Sequence, residues 1–363
     1  MEIGIIGLPR SGKTTIFNAV SKGHAIVAGY SNKPNRGVAK VPDVRLDRLV
    51  VMFNPRRVVP AEIIYVDIPP PPDSKGKTRS ISGEYLNALQ GTDALLIVAR
   101  AFEDPSVAHV DGTIDALRDV DNVLLELTVS DIGLIDRRLA RIDDNLKGAK
   151  LMERDRLTRE RTLLDRVKGQ LEEGVALREQ ILTPDESRHV QGFQFLTEKP
   201  IIIMINVGEN QLGEAASLES QLETAAFGPH TRTTITCGQL EMELSQMDAE
   251  EEREFRDSLV AGESGLDKMI RLSYDVIGQI SFFTVGDDEV RAWEIRENMI
   301  AQKAAGKIHT DLERGFIRAE VVAYDDLVEC GNLGEARKRG VLRQQGKEYI
   351  VKDGDIMEIL FNV

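Results

Sequence analysis

The chain is short of several things. Its 363 residues include two cysteines, Cys237 and Cys330, far apart and without the paired spacing of a zinc or disulfide site, so the expectation is two reduced thiols. Positive charge is in deficit: Lys and Arg number 46 against 60 Asp and Glu, a net charge of −14. That excludes a chain-wide basic footprint for nucleic acid but leaves a local patch open. There is no apolar run of about 18 residues and no signal-peptide pattern. The expectation is therefore a soluble, cytoplasmic protein, long enough for two or three ordinary cores.

What is present begins near the N-terminus. Gly7-Leu8-Pro9-Arg10-Ser11-Gly12-Lys13-Thr14 fits the phosphate-loop pattern G-x-x-x-x-G-K-[ST], preceded by a strand-like run (Ile3, Ile5, Ile6) and followed by a helix-like one from Thr15. Glycines let the backbone curl so that its N–H groups face a phosphate, and the helix start adds partial positive charge. Pro9, Arg10, Ser11, Gly12, Lys13, Thr14 and Thr15 are the phosphate-binding candidates, with Lys13 spanning the β- and γ-phosphates and the Thr14 hydroxyl on Mg²⁺. A glycine-rich turn with a chance Lys-Thr is the alternative, disfavoured by the flanking strand and helix.

A turn-rich stretch, Gly29 to Gly37, reads as a mobile loop near the phosphates. Ser31 in it is either a second hydroxyl for Mg²⁺ or a plain loop serine. Ala61 to Asp67 is an apolar strand ending in an acid, the form of a Walker B element whose Asp67 holds the Mg²⁺ water shell, although an Asp closing a strand is also a common turn former. Pro69-Pro70-Pro71-Pro72 follows. A GTPase switch would read Asp-x-x-Gly here, and Pro70, in the Gly position, has no N–H to offer a γ-phosphate. Four prolines also favour a stiff polyproline II run.

Asp93–Arg100 reads as a buried strand and Gly112–Leu127 as a helix. From 134 to 190 glycine is sparse and charges are mixed. Ile135, Leu139, Ile142 and Leu146 form one apolar seam; Leu164, Val167, Leu171 and Val175 form another. The two predict an antiparallel, coiled-coil-like helical hairpin, either a solvated surface pair or a partner-binding arm. Ile201–Ile205 is a further core strand, followed by Asn206-Val207-Gly208-Glu209. GTPases carry Asn-Lys-x-Asp at this place. Here the Lys is absent and the acid is one methylene longer, so guanine should fit poorly while adenine need not engage an acid. Asn206, Val207 and Glu209, with a second loop of Thr236, Cys237 and Gly238, are the base-binding candidates.

From about residue 280 strands are expected at 281–285, 290–295, 317–322, 349–351 and 356–361, with one helix over 299–314. Strand pairs around one helix suggest a small α+β module of β-grasp type. His309 lies among Lys307, Arg314 and Arg318. This is either an ordinary helix surface or a contact for RNA phosphates or an acidic protein face.

At this point the chain resembles the YchF / Obg-like ATPases within the Obg-related P-loop proteins, nearly end to end. The resemblance is carried by Gly7-Leu8-Pro9 with Gly12-Lys13-Thr14, by Pro34-Asn35 with Gly37, by Pro42-Asp43-Val44-Arg45-Leu46-Asp47 and by Asn206-x-x-Glu209. It is carried most specifically by Val290-Arg291-Ala292-Trp293, Ala304 to Asp311, Gly315 to Glu320 and Asp353-Gly354-Asp355. It implies an α/β G domain (1–133 and 191–279), an inserted helical coiled-coil arm (134–190) and a C-terminal TGS domain (280–363). It also implies ATP preferred over GTP, Mg²⁺, a regulatory role and ribosome or translation-associated protein or RNA partners, and a family that lacks the usual switch II glutamine. Three departures stand out: Arg10-Ser11 where the family has Asn-Val, Ser31 where it has Thr, and Pro69–Pro72 where it has Ala-Gly-Leu-Val. The expectation is an ATP-binding regulatory protein with slow or lost hydrolysis. The alternatives are a non-catalytic adaptor whose nucleotide is structural, a GTP-binding protein, and, least favoured, a metabolic kinase.

Overall fold

The structure, a computed structural model, describes residues 1–22, 34–68, 81, 83–106, 109, 112–224, 227–258 and 264–362. Ser31 and Pro69–Pro72 lie outside the described residues, as does most of the 29–37 loop; of that loop, Asn35–Gly37 are strand. In chain order the elements open with β1 (Glu2–Ile6), α1 (Lys13–Val20), β2 (Asn35–Lys40), α2 (Val44–Phe53), β3 (Arg57–Val59), β4 (Glu62–Asp67), α3 (Gly83–Gln90) and β5 (Ala94–Arg100). The long helices α4 (Ala116–Leu146) and α5 (Leu151–Glu172) follow, then α6 (Pro184–Gln191), β6 (Ile201–Asn206), α7 (Ala215–Thr224), β7 (Thr231–Thr236), α8 (Gly238–Leu244), α9 (Ala249–Ser258) and α10 (Gly265–Val276). The chain closes with β8 (Gln279–Thr284), β9 (Glu289–Arg296), α11 (Ala301–Ile308), α12 (Thr310–Arg314), β10 (Phe316–Ala323), α13 (Tyr324–Cys330), α14 (Leu333–Lys338), β11 (Arg343–Gln345) and β12 (Asp355–Phe361).

Two compact units result, one of residues 1–38 and 64–269, the other of residues 39–63 and 270–363. In the first, a six-stranded sheet runs β2-β4-β1-β5-β6-β7, with β4, β1, β5, β6 and β7 mutually parallel. Its central strands are continuous apolar runs, and every residue of β5 and β6 is buried, as strands covered on both faces require. β1 lies between β4 and β5, so chain order reverses at its C-terminal end, where open α/β sheets bind ligands.

The helical hairpin forms as the seams predict. Ile135 and Ile142 of α4 pack with Leu164, Val167 and Leu171 of α5, while Val175 lies beyond the helix end. The first seam, however, belongs to a helix that starts at Ala116, so residue 134 lies inside a continuous 31-residue helix. Asp131 explains how that helix is held: fully buried, it accepts from the Leu196 and Thr197 N–H groups at 3.0 and 2.7 Å and from the Thr197 hydroxyl at 2.7 Å. α6 opens on a capping box in which Thr183 and Glu186 satisfy each other's backbone N–H groups.

In the second unit the sheet order is β11-β10-β12-β8-β9-β3. The β8–β9 hairpin is antiparallel, α11 follows it, and β12 returns parallel to β8, the outline expected for residues 280–363. Details differ from expectation. The 299–314 helix breaks at His309, whose extended backbone (φ −162°) ends α11 while its Nδ1 accepts from Asp311 N–H at the start of α12. Residues 349–351 are not a strand; Ile350 makes a single bridge to Ile300, and the added strand is β11. Residues 39–63, read in sequence as part of the first domain, instead supply this unit with α2 and with β3, which pairs with Glu289–Arg291 of β9.

Candidate functional site

The loop between β1 and α1 is shaped by its glycines. Gly7 has φ +145°, and a β-carbon there would lie 2.3 Å from the Val98 carbonyl oxygen; Gly12 has φ +95°, and a β-carbon there would lie 2.1 Å from Asn206 Nδ2. Both positions need glycine for the backbone conformation and for the space. Arg10 also has positive φ, 65°, and is exposed; Pro9 is half-buried and Ser11 is buried. The α1 N-cap, Gly12, offers no side-chain cap, so the first N–H groups of the helix remain available to an anion. Lys13 Nζ donates to the Gly7 and Leu8 carbonyls at 3.0 and 2.8 Å, which holds its ammonium over the loop. Thr14 and Thr15 open the first turn of α1.

The Asp67 carboxylate stands beside the loop because β4 pairs with β1 in register, Asp67 opposite Ile5. Thr14 donates its hydroxyl to Asp67 Oδ2 at 3.3 Å. Burial pushes the Asp67 carboxyl above its ordinary value, against the opposing pull of the Lys13 charge and the Thr14 hydroxyl. The pair fits Mg²⁺. A desolvated carboxylate gains from a cation beside it, and a site with one hydroxyl and one carboxylate leaves room for the phosphate oxygens and waters that Mg²⁺ keeps. No group of three or more His, Cys, Asp or Glu that could hold a metal alone occurs among the described residues.

Asn206, at the end of β6, ties the loops together. Its Nδ2 donates to the Ser11 carbonyl at 3.0 Å and its Oδ1 accepts from Gly238 N–H at 2.9 Å, with the residue 3 % exposed. It thus joins the phosphate loop to the loop opening α8. Glu209 is exposed on the edge of a cleft of about 890 Å³ lined also by Gly12, Thr15, Asn206 and Cys237. Val207 reaches that cleft but buries its side chain in the core, its N–H bonded to the Thr236 carbonyl. Thr236 is buried with its hydroxyl against Gly265, so of the second loop it is Cys237 that borders the cleft. Burial pushes the Cys237 thiol up. Gly238 is required for close packing, since a β-carbon would lie 2.6 Å from Ile16 Cδ1.

Sequence reasoning missed the Phe102–Pro105 loop, which forms another wall of this cleft. Phe102 and Ala101 donate their N–H groups to the Asn206 carbonyl. The buried Arg100 stacks over the Phe102 ring at 4.5 Å and donates to the Phe102 carbonyl. The signal available was position: an Arg closing a buried strand and an aromatic two residues on, at the carboxyl edge of the sheet. A second cleft of about 770 Å³ lies on the helical arm beside Glu160 and His189.

Residues 2–132 match the family described as "50S ribosome-binding GTPase", and residues 279–362 match YchF-GTPase_C, "Protein of unknown function (DUF933)". The chain is similar to the ribosome-binding ATPase YchF of Bacillus subtilis, 36% identical over 368 residues and covering 100% of both chains. It is likewise similar to that of Haemophilus influenzae, 36% identical over 365 residues, 100% of this chain and 99% of the other. Among solved structures it is similar to the YchF GTPase of Schizosaccharomyces pombe, with a TM-score of 0.85 and 28% identity over 99% of this chain and 97% of that one.

Proposed function

The chain belongs to the YchF family, and from that premise we propose that it is an ATP-binding regulatory P-loop protein, ribosome-associated and cytoplasmic, with slow or lost ATP hydrolysis. The observation that carries the nucleotide site is the convergence of the glycine-shaped loop, Lys13, and the Thr14–Asp67 pair at the end of the central strand. Backbone N–H groups of the loop and of the first turn of α1 hold the phosphates, and Lys13 leaves its carbonyl partners to span them. Thr14 and Asp67 hold Mg²⁺, which when bound neutralises phosphate charge. Asn206 keeps the loop and the base cleft in register.

Adenine is favoured over guanine because the Asn206-x-x-Glu209 sequence lacks the GTPase Lys, and its acid is exposed at the cleft edge. A guanine-pairing carboxylate needs to be held in place. Slow turnover follows from the Pro70 position, where the chain has no N–H for the γ-phosphate. Removing one preorganised donor near developing charge lowers rates roughly 10²- to 10³-fold in analogous sites. The arm and the C-terminal unit serve as the partner-facing parts. In support, the arm exposes Leu151 and Met152 in the first turn of α5, at 81% and 88%, and no helix among the described residues is long and apolar enough to cross a membrane.

Calorimetric titration with Mg·ATP and separately Mg·GTP tests the reading. Tighter ATP binding supports it; tighter GTP binding returns the site to the GTPases. Binding of neither leaves the protein an adaptor.

A further inference from the structure

Helix α5 carries two seams. Leu157, Leu164 and Leu171 pack into the arm's core with Ile135 and Ile142 of α4. A second line, Met152, Arg156, Arg159, Leu163 and Arg166, advances in steps of four, three, four and three, the repeat by which one helix lies along another. Arg156 and Leu163 each precede a core leucine by one residue, so this line runs about 100° around the helix from the first. Its five residues line the cleft of about 770 Å³ on the arm. Leu163 is buried, whereas Met152, Arg156, Arg159 and Arg166 are exposed. α6 meets the far end of the line, where Arg166 donates to Glu186 at 2.8 Å.

The cleft also holds acids, but most of them are engaged. Glu160 accepts two bonds from Arg138, at 2.6 and 2.9 Å. Asp185 is paired with Arg188, and Glu186 accepts from the Thr183 N–H as well as from Arg166. The arginines at the near end are not held in this way. Arg159 lies 3.8 Å from Asp155 with both side chains exposed. Arg156 makes no hydrogen bond or ion pair among the described residues and acts on Glu160 through charge alone. The start of α5 adds to the positive side, since Lys150 gives it no side-chain cap and its first N–H groups favour a carboxylate.

Resting on the arm as a partner-facing part, we propose that this second seam is a docking groove for an acidic amphipathic helix of a partner protein, laid along α5 as a third strand of the arm. Apolar side chains of the incoming helix cover Leu163 and Met152, whose flexible thioether adapts to the ridge it meets. Carboxylates one turn apart on that helix meet Arg156 and Arg159. An RNA backbone fits less well. Its unbroken line of charge would run past Asp155, Asp185 and Glu186 and leave Leu163 and Met152 uncovered.

The test titrates the full-length protein, by fluorescence anisotropy, with a labelled two-heptad helical peptide that carries leucines along one seam and glutamates beside it. The same peptide with lysines in place of the glutamates, and a labelled RNA hairpin, are run alongside. Wild type should bind the acidic helix, less tightly as salt rises, and should leave the lysine helix unbound. Arg156→Glu combined with Arg159→Glu should weaken the acidic helix about tenfold or more and should now take up the lysine helix, a swap that loss of fold could not produce. Arg154→Glu, on the same helix but off the seam, should change affinity by less than about threefold. No binding of the acidic helix up to about 1 mM, equal weakening by Arg154→Glu, or failure of the charge swap would overturn the proposal. So would RNA that binds more tightly than the acidic helix and is lost in the same double variant. Mg·ATP titration of the same samples keeps the readings apart: nucleotide binding without peptide binding overturns the groove alone, and peptide binding without nucleotide binding overturns the nucleotide site alone.

Discussion

The Asn206 amide and the Ser11 carbonyl, 195 residues apart in sequence, are joined by a 3.0 Å hydrogen bond inside the protein. Through it the end of β6 holds the phosphate loop, while the other half of the same amide holds Gly238. Asn206→Ala leaves a buried N–H and a buried carbonyl unpaired, which should destabilise the first unit by about 1–3 kcal/mol and weaken nucleotide binding as the loop loosens. Thermal melts with and without Mg·ATP read both effects. Unchanged melting would show that the bridge holds nothing.

Gly12→Ala should be harsher for binding than for folding. The added β-carbon would meet Asn206 Nδ2 at 2.1 Å, so the same bridge must break, and the φ of +95° is strained for alanine. Loss of Mg·ATP binding in a protein that still shows native circular dichroism is the expected result.

The arm carries its own acid-sensitive lock. Arg138 grips Glu160 with two bonds, 2.6 and 2.9 Å, and the Glu160 side chain is 3 % exposed. Burial alone would push the Glu160 carboxyl up, but the bonds and charge of Arg138, with His189 and Arg156 adding to it, hold it below its ordinary value of 4.5. A depressed folded value means stabilisation that is full above the unfolded value and lost as pH falls through the folded one. Glu160→Gln should thus be less stable than wild type at neutral pH, and the two stability curves should converge as acidification proceeds below 4.5. Parallel curves across the whole range would refute the assignment.

In the second unit, Arg45 reaches Asp43 at 2.8 Å and Asp353 at 2.7 Å and lies over the Phe283 ring. Asp353 also accepts from the Ser281 N–H. Arg45→Ala leaves two carboxylates without their shared cation and should destabilise this unit by roughly 1–3 kcal/mol, less than a fully buried pair because Asp353 is half-exposed. Hydrogen exchange at Val58 and Val59 should accelerate, since β3 is held through the same segment.

Much of this was legible in advance, for identifiable reasons. The phosphate loop is readable because its glycines are demanded by backbone geometry, and β5 and β6 because two-sided burial leaves unbroken apolar runs. The arm's seams are readable because Ile135, Ile142, Leu164 and Leu171 must touch. The role of Phe102 was not, because a lone aromatic in a loop has no periodicity and its significance comes from Arg100 beneath it. Nor was the break at His309, where helical spacing continues on both sides and only the extended backbone, capped by the imidazole, separates α11 from α12. The placement of residues 39–63 was invisible for a deeper reason. A three-residue edge strand such as β3 has no pattern, and its partner β9 lies more than two hundred residues downstream.

That last arrangement sets an order of events during synthesis. Arg45 waits for Asp353, 308 residues later, so at a ribosomal pace of roughly 5–20 residues per second it spends about 15–60 seconds without that partner, and β3 waits somewhat less for β9. The first unit can close around the nucleotide loop while its own excursion hangs unfinished. A chain that stops anywhere before β9 leaves an apolar helix face and an open strand edge on the nascent protein, an opening for chaperones or for aggregation that completion of the C-terminal sheet removes.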